Sequence, residues 1–399
     1  MPLIEDLMRT TAPNFPPRGL RDHWAYFKLL RKFKKLSKKD MKLLVELMTA
    51  SAAEYLDRRL ESTQIKASLA LSATIGSCVG VMTPGSAYVL LHHMVGGVDG
   101  VPGAWGYVRG GMGGLTQALA RSCQDLGVTI RTGAEVDRVI VHDGRATGVA
   151  LKNGDELHAR VVASNADPKR TYLKMVDEKE LPADFVDDIR RFKMQGSSIK
   201  VNCALSELPD WKCLPGKDPK AVQHRTLFEI APSMEYLEEA YDDLKYGRVS
   251  RRPMIEGAIP STLDDSLAPE GKHVLSCFVQ YGPYHLKEGT WPEIREKVGD
   301  LVIDTIAEYA PNIKKAVIAR QVITPWDMEK DYGLTEGNIF HGEITPDQLF
   351  FLRPAAGYAD HRSPIRGLYL CGSGAHPGGG VMGGPGLNAS REILKDLRR

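Results

Sequence analysis

The sequence predicts a mixed α/β fold, and three features predict it. Residues 368–371 are four apolar or sulfur side chains that read as a short buried strand. Glycines follow, and Pro385 stands where a helix begins, with Leu387, Ile393, Leu394 and Leu397 at helical spacing. Asp143-Gly144 and Asn153-Gly154 are hairpin turn signals that separate Val-rich runs at 135–142, 145–151 and 156–163. Helical periods of apolar residues recur at 41–60, 115–126 and 291–309.

At 399 residues, the chain can hold two domains or one large discontinuous one. Its 43% hydrophobic and 26% charged content is that of an ordinary globular protein. A net charge of +2 gives no reason to expect a nucleic-acid partner. The six cysteines form no Cys-x-x-Cys and no ligand-spaced cluster, so no metal site is expected and a reducing compartment suits them. Glu5 and Asp6 fall where a secretory signal would be positive. Residues 67–82, the longest weakly polar stretch, are too few to span a bilayer.

In chain order, residues 1–21 read as irregular because Pro13, Pro16 and Pro17 interrupt any helix. Residues 24–42 form a basic amphipathic stretch in which eight Lys and Arg alternate with Tyr26, Phe27, Leu29, Leu30, Phe33 and Leu36. Two readings fit it: a peripheral contact with an anionic membrane surface, or a solvated helix face over the core. A helix over 41–60 follows from Met41, Leu44, Val45, Met48, Ala52, Tyr55 and Leu56. Residues 76–114 are glycine-rich and read as linked loops and short helices. His92 and His93 point about 100° apart on a helix, which makes a poor bidentate site, so both read as ordinary core or surface histidines. The corner at 109–114 leads into a helix with Leu115, Ala118, Leu119, Cys123 and Leu126 on one face. After the Val-rich meander, 161–165 returns the chain to the main sheet. Strands at 198–205, 225–230, 254–259 and 273–280 make a mixed sheet, and the helix at 291–309 ends before Pro311.

Eight glycines in residues 372–386 are more than a plain turn requires, since each costs conformational entropy on folding. A strand that turns through glycines into a helix N-terminus lets bare N–H groups approach an anion such as a pyrophosphate. Gly378-x-Gly380-x-x-Gly383 satisfies the dinucleotide pattern, but no second strand follows it before Arg399 and no acidic residue stands about twenty positions on. The turn therefore reads as the closing piece of a dinucleotide-binding unit; a tight structural turn is the alternative.

Residues 369–389 resemble the C-terminal flavin signature of the phytoene desaturase and FAD-dependent amine oxidase superfamily. Two further blocks carry the same likeness. One is Thr83-Pro84-Gly85-Ser86-Ala87-Tyr88 through His93 and then Gly103-Ala104-Trp105-Gly106 through Gly113; the other is Gly337-Asn338-Ile339-Phe340-His341. The likeness runs from about residue 40 to the end. It implies an FAD/NAD(P)-binding flavoprotein fold with a mixed-sheet and helical substrate domain. Members begin with a strand, a Gly-x-Gly-x-x-Gly turn and a helix, and the first hundred residues here show none. The expectation is a chain that starts after the N-terminal dinucleotide-binding unit. Residues 1–126 would then be a helical part of the substrate domain and 127–168 the meander and return to the FAD domain. Residues 169–352 would be the substrate domain sheet, and 353–399 the C-terminal FAD-binding segment.

The resemblance implies FAD as cofactor, with the Val136 backbone against the adenine and Gly372, Ser373, Met382, Gly383 and Leu387 at the pyrophosphate and flavin. Hydride transfer to a flavin needs little acid–base machinery from the protein. Arg109 and His376 are the polar side chains nearest the two glycine corners, so they are the candidates for facing the cavity; alternatively both hold backbone. The implied activity is an FAD-dependent oxidation of an apolar or amine-like small molecule. A flavin-free binding or scaffold protein, or an N-terminally truncated product, is the other expectation; a protein partner completing the fold goes with the flavin-binding reading. A mitochondrial matrix setting comes with the resemblance, although no presequence is visible; the cytoplasm is the setting otherwise.

Overall fold

The computed structural model describes residues 2–98, 101–104 and 106–398; Trp105 of the second resemblance block lies outside them. The chain opens with helices α1 (Pro2–Met8), α2 (Leu20–Lys34), α3 (Lys38–Thr49), α4 (Ala52–Asp57), α5 (Thr63–Leu71), α6 (Ser86–Met94) and α7 (Met112–Asp125). The first of these corrects the irregular reading of 1–21. Ile4 and Met8 are buried against Leu47, Tyr88, Leu91 and Phe340, so tertiary packing stabilises a helix that local propensity does not. The expected single stretch at 24–42 is two helices. Ser37 separates them because its hydroxyl caps α3, accepting from the Asp40 amide at 3.1 Å. The 41–60 helix is likewise broken, at Ser51, where Ser51 and Glu54 form a reciprocal capping box that starts α4.

An antiparallel meander follows: β1 (Val136–His142), β2 (Arg145–Leu151) and β3 (Glu156–His158). The third Val-rich run is split in two. After β3 the chain leaves the meander, and β4 (Val162–Ser164) joins a different sheet. Helices α8 (Pro168–Leu173) and α9 (Ala183–Arg191) pack Tyr172, Phe185 and Ile189 against Val139 and Ala146 of the meander.

The largest sheet is built from β5 (Ser198–Leu205), β6 (Phe228–Ile230), β7 (Met254–Ala258), β8 (His273–Gln280) and β9 (Val317–Ile323), with α10 (Met234–Lys245) after β6 and α11 (Trp291–Ala307) after β8. Its strands are all antiparallel, in the order β9-β5-β8-β7-β6. Alternation along β5 and β8 sends Ile199, Val201, Cys203, Leu275, Cys277 and Val279 into the main core with Val298, Val302 and Ile306 of α11. Each such side chain contributes roughly 1.5–3 kcal/mol of burial. The opposite face carries Lys200, Asn202, Glu256, Ser276 and Phe278 and is only half covered.

The chain ends with α12 (Pro325–Tyr332), β10 (Leu368–Leu370) and α13 (Gly384–Leu397). β10 pairs in parallel with β4, Leu368 opposite Val162 and Leu370 opposite Ser164. It is joined to the meander through the Ala146 amide, which donates to the Arg366 carbonyl at 2.8 Å.

Candidate functional site

The glycine turn between β10 and α13 has a buried base and an exposed tip. Cys371 continues the ladder by donating its amide to the Ser164 carbonyl at 2.9 Å. A Cβ on Gly372 would lie 2.3 Å from the Asn165 carbonyl oxygen, and one on Gly374 would lie 2.4 Å from the Pro168 ring. A Cβ on Gly379 would meet the Phe340 ring at 2.3 Å. These glycines let the turn lie directly on the chain beneath it. From Gly380 to Gly383 the backbone comes to the surface, with Val381 and Met382 exposed. Gly383 takes φ 63° at the N-cap of α13, where no side chain caps the first turn and a Cβ would meet nothing within 4 Å. An uncapped helix start at an open glycine presents unpartnered N–H groups and the positive end of the helix dipole.

The base of the turn is clamped from inside by one cation. Arg353 has no exposed surface. Its Nε and Nη2 donate to the Ser373 carbonyl at 3.1 and 2.9 Å, and Nη2 also reaches the carbonyls of Phe340 at 3.0 Å and Gly342 at 3.1 Å. Nη1 donates to Glu343 O at 3.2 Å and Gln348 O at 3.4 Å. Carbonyl dipoles take the place of a carboxylate, and burial lowers the guanidinium to about 10, which leaves it charged at neutral pH. Above it, His92 Nε2 donates to the Gly379 carbonyl at 2.7 Å. His376 Nε2 donates to Leu7 O in α1 at 2.9 Å, and Asn388 Nδ2 to Met8 O at 3.3 Å. Burial holds both imidazoles down to about 4, and the Arg353 charge adds to the effect. Their Nδ1 atoms are buried without a hydrogen-bond partner, so both rings are neutral.

The structure separates the two side chains expected at a cavity. His376 is buried and faces α1, because its ring satisfies the Leu7 carbonyl. Arg109 is largely exposed and pairs with Asp265 at 2.6 Å. Its neighbour Gly110 donates its amide to Asp264 Oδ2, also at 2.6 Å, which ties the second glycine corner to the loop after β7. Among the cofactor candidates, Met382, Gly383 and Leu387 lie together at the exposed tip and first turn of α13. Gly372 and Ser373 lie at the base, the Ser373 carbonyl turned in to Arg353. Val136 lies in β1 opposite Leu151, on the meander.

Sequence reasoning passed over Arg353 and the half-covered sheet face; His92, read as an ordinary core or surface histidine, is buried. Arg353 follows an aperiodic run and carries no local signal. Lys200 did carry one: in Ser198–Leu205 it alternates with the buried Ile199 and Val201, which places a charge on the other face of a core strand. Lys200 Nζ donates to Ser276 Oγ on the adjacent strand. Burial lowers the Lys200 ammonium and raises the Glu256 carboxyl, which the Glu229 charge beside it raises further. Tyr107, just before the Arg109 corner, is raised by burial and by the Glu256 charge.

A buried parallel strand that turns through glycine into an uncapped helix, beside a β-meander and an antiparallel sheet, is an α/β arrangement of the flavoprotein type. The chain belongs to the flavin containing amine oxidoreductase family, whose model matches residues 8–394. That match begins well before residue 40, where the sequence likeness was first legible. The chain is 45% identical over 359 residues to pyridine nucleotide-disulfide oxidoreductase domain-containing protein 2 of Rattus norvegicus, covering 88% of this chain and 62% of that protein. It is 26% identical over 324 residues to the lycopene-forming phytoene desaturase of Pseudescherichia vulneris, covering 79% of this chain and 59% of that one. The chain thus spans less than two thirds of the length of these relatives. In fold it is similar to an oxidoreductase from Methanosarcina mazei, with a TM-score of 0.53 at 19% identity, over 90% of this chain and 73% of that one.

Proposed function

We propose that this chain forms part of an FAD-dependent oxidoreductase that oxidises an apolar or amine-like small molecule. The observation that carries the reading is the uncapped start of α13 at an open Gly383, held on a base that Arg353 makes rigid. These residues fit the pyrophosphate of FAD: backbone N–H donors of the first turn, a positive helix end, and no side chain in the way. Met382, Gly383 and Leu387 would contact the cofactor at the tip, Gly372 and Ser373 at the base, and the Val136 backbone the adenine. FAD, when bound, supplies the hydride acceptor. The chain's own part is to orient the substrate against it, and the Lys200 and Glu256 face offers polar groups for that. The phytoene desaturase relative supports an apolar substrate, and the family's description supports an amine.

A second reading, a flavin-free binding or scaffold protein, is favoured by α7. That helix buries none of its side chains, and Leu119, Leu126, Val128 and Ile130 are exposed. Among the described residues the parallel sheet of β4 and β10 has only two strands, whereas parallel sheets are normally covered on both faces. Under the first reading a further polypeptide segment or partner chain covers these surfaces and completes the cofactor site.

The test is a visible spectrum of the purified chain before and after FAD is added and free cofactor removed. A retained flavin spectrum, lost in Gly383→Ala, is expected. A colourless protein that retains no FAD, alone or with the rest of the fold supplied, would leave the binding-module reading.

A further inference from the structure

We infer that the outer face of α2 is a docking surface for an anionic lipid bilayer. The helix is fixed to the body by its inner side. The buried Asp22 carboxylate accepts from the Arg18 amide at 2.8 Å and from both Asn14 nitrogens at 3.4 Å, and the Tyr26 hydroxyl donates to Asn14 O at 3.1 Å. Arg21 pairs with Glu392 of α13. The orientation of α2 is therefore set, and the side chains it turns outward are set with it.

Those side chains are large and apolar. Leu20 is 89% exposed, Trp24 56%, Phe27 47% and Leu30 53%, at successive spacings that keep them on one side of the helix. Trp24 and Phe27 stack with centroids 5.3 Å apart. An ordinary surface helix turns its apolar stripe inward and its charges outward; here a second apolar stripe points to solvent.

Cations border that stripe. Lys28 Nζ lies 5.5 Å from the Trp24 ring centre, and the Arg31 guanidinium 5.9 Å from that of Phe27. Lys34 and Lys35 close the helix, and beyond Ser37 come Lys38, Lys39 and Lys42, with Met41 and Val45 exposed on α3 beside them. Lys32 pairs with Asp6. Among the described residues, none of the other seven basic side chains has a carboxylate within ion-pair distance. Unpaired cations of a single sign around an aromatic and aliphatic stripe match a lipid surface, where acyl chains take the stripe and anionic headgroups take the cations. The sequence alone left a solvated helix face open as well; what the structure adds is that Trp24 and Phe27 lie outside.

The experiment is co-sedimentation of the full chain with vesicles of phosphatidylcholine alone and of phosphatidylcholine mixed with phosphatidylglycerol. The chain should pellet with the anionic vesicles about tenfold more strongly than with neutral ones, and less as salt rises. The triple charge reversal Lys28→Glu, Arg31→Glu, Lys34→Glu and the separate triple variant Leu20→Ser, Trp24→Ser, Phe27→Ser should each abolish pelleting while melting within a few degrees of the parent. Exposed side chains at every substituted position make both variants foldable. The inference is overturned if the parent binds neither vesicle, if it binds both equally, or if a folded charge-reversal variant binds as well as the parent. It is equally overturned if the surface proves to hold a second copy of the chain, seen as a dimer in solution that the serine variant dissociates.

Discussion

Two nitrogens of Arg353 converge on the carbonyl oxygen of Ser373, at 3.1 and 2.9 Å, and among the described residues no carboxylate forms an ion pair with it. The same guanidinium holds carbonyls from residues 340–348, so one buried side chain fastens the glycine turn to a segment some thirty residues away.

Arg353→Met should therefore be severe. It leaves several buried carbonyls without a donor, at a cost of roughly 3–5 kcal/mol. Lysine has the charge but not the planar fork and should recover less than half of the loss. Urea unfolding of the three proteins checks this; a methionine variant within about 1 kcal/mol of the parent would refute the clamp.

Two glycines of the same turn should behave differently. Gly372→Ala drives a Cβ to 2.3 Å from the Asn165 carbonyl and should cost about 1–3 kcal/mol or more, seen as a lower melting temperature. Gly383→Ala has open space and only its left-handed φ to contend with, about 1 kcal/mol. Its larger effect should be on cofactor retention, weakened at least about tenfold because a methyl group enters the anion approach. Melting curves and FAD titration of the pair separate the two roles.

Acid should unfold this protein through its histidines. His92 and His376 titrate near 6.5 when unfolded and near 4 when folded, so the unfolded chain takes up protons first. Their contribution is complete above pH 6.5 and is lost as pH falls toward 4, on the order of 3 kcal/mol each. Unfolding free energy measured between those limits should fall with a slope approaching two protons. His92→Gln, which keeps a donor for Gly379 but does not titrate, should remove about half of that slope.

Glu343 should act in the opposite window. Burial raises its carboxyl to about 7, above the ordinary 4.5, so its neutral form favours the fold. That stabilisation is complete below pH 4.5 and is lost as pH rises through 7. Glu343→Gln should therefore stabilise the protein above pH 7 by on the order of 2–3 kcal/mol and change little at pH 4.5. Parent and variant unfolding curves at the two pH values decide it.

The meander, the main sheet and the strand–glycine–helix turn were legible because each is written locally. Asp143-Gly144 and Asn153-Gly154 specify hairpins, alternation specifies β5 and β8, and Pro385 marks a helix start. Helix α1 was not, since Ile4 and Met8 matter only once Tyr88 and Phe340 have folded against them. The breaks at Ser37 and Ser51 were hidden by an apolar period that runs through them, whereas a single hydroxyl at each decides the geometry. Strand β9 was missed because it is an edge strand with Ile318 left in solvent. Arg353 could not be read at all: its partners are backbone carbonyls, which leave no trace in the identity of the residues that bear them.

The turn also has an unusual history within the chain. His376 meets Leu7 across 369 positions, and His92 meets Gly379 across 287. Contacts of such long sequence separation form late, after the intervening chain has collapsed. On the ribosome, then, the N-terminal helices would wait for nearly the whole protein to emerge before the cradle could close. A chain stalled before residue 353 would carry the N-terminal helices without the turn and the arginine that they pack against.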